Sequence, residues 1–181
     1  VGSADPDITL SPAEAFGTLE KYFQGLIDLR EQDRSDDLIS ILMDAEVDGE
    51  SLSPEEIMAF LRLLLIAGNE TTRNLIAMGT LALTNHPDQL QMLVEDRSLI
   101  PTAVEEMLRW ISPVTHMTRY ATEDVELRGR LIEKDQAVVL LYGAANRDED
   151  VFGENAEEFD ITRTPNPHLA FGTGQHTCLG L

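Results

Sequence analysis

The segment Phe171-Gly172-Thr173-Gly174-Gln175-His176-Thr177-Cys178-Leu179-Gly180 carries the sole cysteine of the sequence among three glycines. Glycine lets a backbone turn sharply and approach something flat or bulky. Amide N–H groups aimed at sulfur stabilise a thiolate, as would a following helix N-terminus. A thiolate is a strong axial donor to a haem iron and favours O–O cleavage. Two alternatives stay open at this point. One is a buried, inert cysteine in a glycine-rich turn. The other is a cysteine nucleophile paired with His176, for which no orienting third residue is evident.

A second constellation is Ala67-Gly68-Asn69-Glu70-Thr71-Thr72, in the middle of an apolar helical pattern. Interior glycine costs about 1 kcal/mol relative to alanine. A threonine there can bend the helix by bonding back to a carbonyl. An adjacent acid and alcohol, Glu70 and Thr71, can organise proton delivery to a ligand pressed against the helix. The alternative is close helix packing at Gly68, with the threonines as small core residues. Glu106 and Arg109 stand at i, i+3, a spacing usual for exposed pairs worth a few tenths of a kcal/mol. Arg119 lies in a strand-like run. The histidines His86, His116, His168 and His176 include no pair at the i, i+4 spacing of a helical zinc site. One cysteine excludes an intrachain disulfide and a multi-cysteine zinc site.

These residues need elements to hold them. Ser11-Pro12-Ala13-Glu14 and Ser53-Pro54-Glu55-Glu56 are capping boxes with proline at the first helical position. The second opens the longest helical pattern, to about Asn85, with one stripe of Ile57, Phe60, Leu61, Leu64, Gly68, Thr71, Thr72, Leu75, Met78 and Ala82. Leu63, Leu65, Ile66 and Ile76 make the other faces apolar too, so burial nearly all round is expected. A short helix is expected over 37–45, a turn at Asp48-Gly49-Glu50, and further helices over about 88–95 and 102–110. After Pro113 the pattern turns to short strands at 118–121, 125–127, 131–132 and 137–141. Residues 148–160 are acidic and read as a loop.

With 33 acidic against 13 basic residues in 181, the formal net charge is −20. That disfavours a nucleic-acid-binding surface and attraction to an anionic membrane. A hydrophobic content of 43% fits a globular chain. The longest apolar stretch, 137–145, falls short of the ~20 residues of a membrane span, and no signal peptide is visible. Both ends read as cut: the chain opens on Val1 and closes just after the glycine-rich loop.

Together, from about Ser35 to the last residue, these segments closely resemble the C-terminal half of a cytochrome P-450, the haem-thiolate monooxygenases. Phe171, Gly174, Cys178 and Gly180 match the F-x-x-G-x-x-x-C-x-G pattern. Ala67 to Thr72 resembles the oxygen-activating groove of the long central helix. Glu106 and Arg109 match E-x-x-R, and Phe159-Asp160-Ile161-Thr162-Arg163 resembles the segment whose arginine completes that pair. Ala144-Ala145-Asn146-Arg147-Asp148-Glu149 and His168-Leu169-Ala170-Phe171 resemble soluble bacterial members. Ile132-Glu133-Lys134-Asp135 departs from the family's Ile-Pro-x-Gly turn.

The resemblance implies a mostly α fold with a small β part. It is incomplete, lacking the N-terminal half and the helix after the cysteine. Residues 1–181 would form part of a single domain, helical over 1–112, with strands and the haem loop over 113–181. Cys178 would be the axial ligand of haem b. His176 and Arg119 would hold the propionates, with Phe171, Gly172 and Gly174 shaping the loop. Thr71, Glu70 and Gly68 would serve oxygen activation. Glu106, Arg109 and Arg163 would form a structural triad, and Ala67, Val114, Thr115, His116 and Met117 would line the substrate pocket. The implied reaction inserts one atom of O2 into a small hydrophobic substrate. Electrons would come from a ferredoxin-type partner and ultimately NAD(P)H, in the bacterial cytoplasm. The fragment alone is expected to be inactive. Rival readings are a peroxide-using or reductive relative, against which Glu70-Thr71 argues, and a non-catalytic haem-binding remnant or acidic helical interaction module.

Overall fold

Two serine caps set where the long helices begin. In the computed structural model, which describes residues Leu10–Leu181, α1 (Pro12–Gln32) starts at Ser11. The Ser11 backbone N–H donates to Glu14 Oε2 at 2.8 Å, and Glu14 N–H donates to Ser11 Oγ at 3.3 Å. Helix α3 (Pro54–Asn85) starts the same way. Ser53 N–H donates to Glu56 Oε2 at 2.8 Å and Glu56 N–H to Ser53 Oγ at 3.2 Å. Each box satisfies donors that the first helical turn leaves without partners.

The chain divides into two compact units, residues 1–67 and 68–181, with the boundary inside α3. The first unit holds α1, α2 (Leu38–Asp44), a ribbon of β1 (Glu46–Val47) and β2 (Glu50–Ser51), and the start of α3. Asp37 caps α2, accepting from Ser40 N–H at 2.9 Å. Phe23, Ile27, Leu42, Ile57 and Leu61 form the core. The expected turn at 48–50 is the bend of the β1–β2 ribbon, with Asp48 and Gly49 both at positive φ.

The second unit runs through the rest of α3, α4 (Pro87–Glu95), a 3-10 turn at Arg97–Leu99, and α5 (Ile100–Ile111). Ala82, Leu83, Ala103, Phe159 and Ile161 make its core. Gly79 is where α3 and α5 meet closely: a Cβ there would come within 2.7 Å of Met107 Sδ. Beyond α5 lie β3 (His116–Tyr120), β4 (Val125–Leu127), β5 (Arg130–Ile132) and β6 (Ala137–Leu141). These pair antiparallel as β3–β6 and β4–β5, the second hairpin nested inside the first. Arg128 and Gly129, both at positive φ, make the two-residue turn of β4–β5. The departure at 132–135 keeps a turn. Gln136 N–H donates to Glu133 O at 3.1 Å, and Asp135 takes φ +66° at a position where glycine is the easier residue.

Two expectations are corrected. Leu63 and Ile76 on α3 are 55% and 64% exposed, and Leu65 and Ile66 are exposed as well. An all-round apolar helix signals faces that need cover, and the described residues cover only part of them. Residues 148–160 are not all loop. After α6 (Tyr142–Ala145), α7 (Glu149–Phe152) forms because Asp148 accepts from Asp150 N–H at 3.0 Å and Phe152 is buried. Among the described residues no helix is long and apolar enough to cross a membrane.

Candidate functional site

Helix α5 places Glu106 and Arg109 on its inner face, both with no exposed surface. Every N–H of the guanidinium is used. Arg109 Nε donates to Glu106 Oε2 at 2.8 Å, and Nη2 donates to Glu106 Oε1 and Glu158 O, each at 2.7 Å. Nη1 donates to Asn146 O at 2.7 Å and Ala156 O at 2.8 Å. The Glu106 carboxylate also accepts from Arg163 Nε at 3.2 Å, Asp160 N–H at 2.9 Å and Asn166 Nδ2 at 3.1 Å. A spacing usual for exposed pairs is here a buried network, in which bidentate charge-assisted bonds offset desolvation.

This network borders the segment that leads to the cysteine. Asn146 Oδ1 accepts from Leu169 N–H at 2.7 Å. His168 Nε2 lies 2.9 Å from Glu105 Oε2. Gly172 N–H donates to Leu169 O, and Cys178 N–H donates to Phe171 O, both at 2.9 Å. Gly172 and Gly174 take φ +69° and +72°, and a Cβ on Gly172 would sit 3.5 Å from both Tyr142 Oη and His176 O. Cys178 is exposed, which removes the inert buried cysteine. Its sulfur accepts a hydrogen bond from Gly180 N–H at 3.3 Å.

His176 lies in a one-turn 3-10 helix, Gly174–His176, and is exposed. Arg119 is exposed on β3, opposite Val138, and donates to Thr118 O at 3.0 Å. Among the described residues it has no carboxylate partner within salt-bridge distance. On α3, Gly68 and Glu70 are exposed and Thr71 is half-buried. A Cβ on Gly68 would meet nothing within 4 Å, so Gly68 is not a packing glycine. A shallow depression of about 420 Å³ runs along Gly68, Asn69, Thr72, Arg73, Ile76 and Ala77. Neither Glu70 nor Thr71 lines it, and none of Ala67, Val114, Thr115, His116 and Met117 does. Val114 is half-buried, while Thr115, His116 and Met117 are exposed, His116 Nδ1 lying 3.0 Å from Thr115 Oγ1.

The family model described as Cytochrome P450 matches residues 13–181. The chain belongs to the cytochrome P450 family. It is 46% identical over 180 residues to a steroid C26-monooxygenase of Rhodococcus jostii, covering 99% of this chain and 38% of that protein. It is also 46% identical over 185 residues to a methyl-branched lipid omega-hydroxylase of Mycobacterium bovis, covering 99% of this chain and 43% of that one. A Bacillus megaterium cytochrome P450 solved in complex with testosterone superimposes with a TM-score of 0.88 at 42% identity, over 93% of this chain and 46% of that one. The chain thus has part of a P450 fold, mostly helical with small sheets, and spans about two fifths of the length of these curated relatives.

Membership in the P450 family implies a haem. The donor set fits one. Among the described residues no group of three or more His, Cys, Asp and Glu side chains could hold a bare metal ion. A metal at Cys178 would need donors besides these side chains, as a porphyrin provides. The exposed sulfur, the two left-handed glycines before it and the unpaired charge of Arg119 suit a large anionic macrocycle. Asn146, Ser112 and Asn166, which tie the buried network to the cysteine segment, carry no motif that spacing alone reveals. The signals were a polar residue, Asn146, directly after an apolar run, and its place in the segment 144–149 that resembles bacterial members of the family.

Proposed function

We propose that this chain is the haem-binding part of a single-domain monooxygenase that inserts one atom of O2 into a hydrophobic substrate. The observation that carries the reading is the exposed Cys178 sulfur, held in its glycine loop and hydrogen-bonded by Gly180 N–H. When bound, the haem supplies the oxygen chemistry. Cys178 would hold its iron through the thiolate sulfur, and Phe171, Gly172 and Gly174 would shape the loop around it. Arg119 and His176 would hold its propionate carboxylates. The Glu70 carboxyl and the Thr71 hydroxyl would hold and relay protons on that helix, and Gly68, where a Cβ would meet nothing within 4 Å, would leave space beside them. Glu106, Arg109 and Arg163 keep the segment before the loop in place. The run Val114 to Met117 would contact the substrate. The names of the relatives favour a lipid or steroid as that substrate. Electrons come from a ferredoxin-type carrier and ultimately NAD(P)H, in the cytoplasm. The 181 residues alone do not turn over.

Carbon monoxide bound to the reduced, complete protein tests this. Wild type is expected to give the red-shifted band of a thiolate-ligated haem, and Cys178→Ser is expected to abolish it. An unchanged band in the serine variant would sink the ligand assignment.

A further inference from the structure

Asn146 is fully buried and every one of its polar groups is engaged. Its backbone N–H donates to Tyr142 O at 2.9 Å, and its backbone carbonyl accepts Arg109 Nη1 at 2.7 Å. Its side-chain Nδ2 donates to Ser112 Oγ at 2.8 Å, and Oδ1 accepts Leu169 N–H at 2.7 Å. Ser112 is itself buried at φ +46°, closing α5, and its Oγ donates to Arg109 O at 3.1 Å. One residue therefore touches the arginine of the buried network, the end of the helix that carries it, and the segment that leads to Cys178. From Leu169 two bonds reach the cysteine loop: Gly172 N–H to Leu169 O, and Cys178 N–H to Phe171 O.

We propose that Asn146 is a positioning residue, which carries the placement of the Glu106–Arg109 network to the Cys178 loop through the Oδ1 bond to Leu169 N–H. The inference rests on the haem-thiolate reading above. Asn146 touches neither the sulfur nor any reacting atom. It acts by holding the backbone from which the loop departs. A buried N–H left without an acceptor is costly, so losing Oδ1 drives Leu169 to shift, and Phe171 O with it. Asn166 to Glu106 and His168 to Glu105 hold the same segment from the other side. Loss of Asn146 therefore loosens the loop without releasing the segment.

The test uses the complete haem-loaded protein, reduced and exposed to carbon monoxide. The quantity read is the ratio of the thiolate band to the shorter-wavelength band of haem that has lost the thiolate. That ratio does not depend on how much protein folds. Asn146→Asp keeps an acceptor for Leu169 N–H, and the Ser112 hydroxyl can donate to its second oxygen, so its ratio stays close to wild type. Asn146→Leu keeps the branched outline of the side chain and loses the acceptor. Its ratio falls by about three- to tenfold, the range that one hydrogen bond controls. If Asn146→Leu gives no haem protein, Asn146→Ser, too short to reach Leu169, is read in its place. A purely structural role would lower the melting temperature of these variants without separating their ratios. Equal ratios throughout, or an aspartate ratio as low as that of leucine, would overturn the inference. A wild type with no thiolate band overturns the haem-thiolate reading instead.

Discussion

Arg109 shows how much one side chain can be asked to do in a protein interior. Its five N–H groups meet Glu106 and three carbonyls, from Asn146, Ala156 and Glu158. Lysine carries the same charge on a single nitrogen and cannot span that set. Arg109→Lys is therefore expected to cost about 3–5 kcal/mol, the cost of breaking a buried ion pair. Chemical denaturation followed by Trp110 emission would measure it, since that ring lies 4.5 Å from the Arg147 guanidinium beside the network. A midpoint within error of wild type would contradict the prediction. Little of this was legible in the sequence. The i, i+3 spacing is shared by many exposed pairs. What buries this one is the arrival of backbone and side chains 37 to 60 residues later, from Asn146 to Asn166. The family resemblance pointed to Arg163 and to the segment that holds Asn146, but not to Asn166, to the carbonyls or to the contacts that Asn146 makes.

At the scale of elements, local chemistry carried further. Both capping boxes form, and α3 starts and stops where Ser53-Pro54 and His86-Pro87 place it. The strand pairs follow the alternating runs, because their turns are written in Arg128-Gly129 and Asp135. Helix α7 escaped notice because four residues show no period, and only the Asp148 cap and the burial of Phe152 define it. The α3 cap also has a pH signature. The Ser53 backbone N–H, and then the Ser53 side chain, hold the Glu56 carboxyl below its ordinary value. A depressed carboxylate stabilises the fold fully above its unfolded pKa and loses that contribution as pH falls through the lower folded value. Glutamine can keep the cap geometry but not the charge. The melting temperature of wild type is thus expected to exceed that of Glu56→Gln at neutral pH. The gap should close as pH falls below the usual glutamate range. A gap that stays constant with pH would show that charge plays no part.

For the molecule as a whole, two features oppose each other. A net charge of −20 makes copies of the chain repel one another. Yet α3 exposes Leu63, Leu65 and Ile66 in one unit and Ile76, Met78 and Leu81 in the other, and Leu140 and Leu141 of β6 are exposed as well. Exposed apolar side chains in such number promote association. Charge repulsion between exposed groups is screened over about 10 Å at 0.1 M salt, whereas apolar attraction is not weakened by salt. The 181-residue chain prepared alone is therefore expected to stay dispersed at low ionic strength and to self-associate as salt is added. It should also take up an apolar fluorescent dye throughout. Sedimentation velocity across a salt series, with dye emission read on the same samples, measures both. A monomer that persists at high salt and leaves the dye dark would mean that these faces find cover within the chain itself, and the exposure of α3 would then have no consequence in solution.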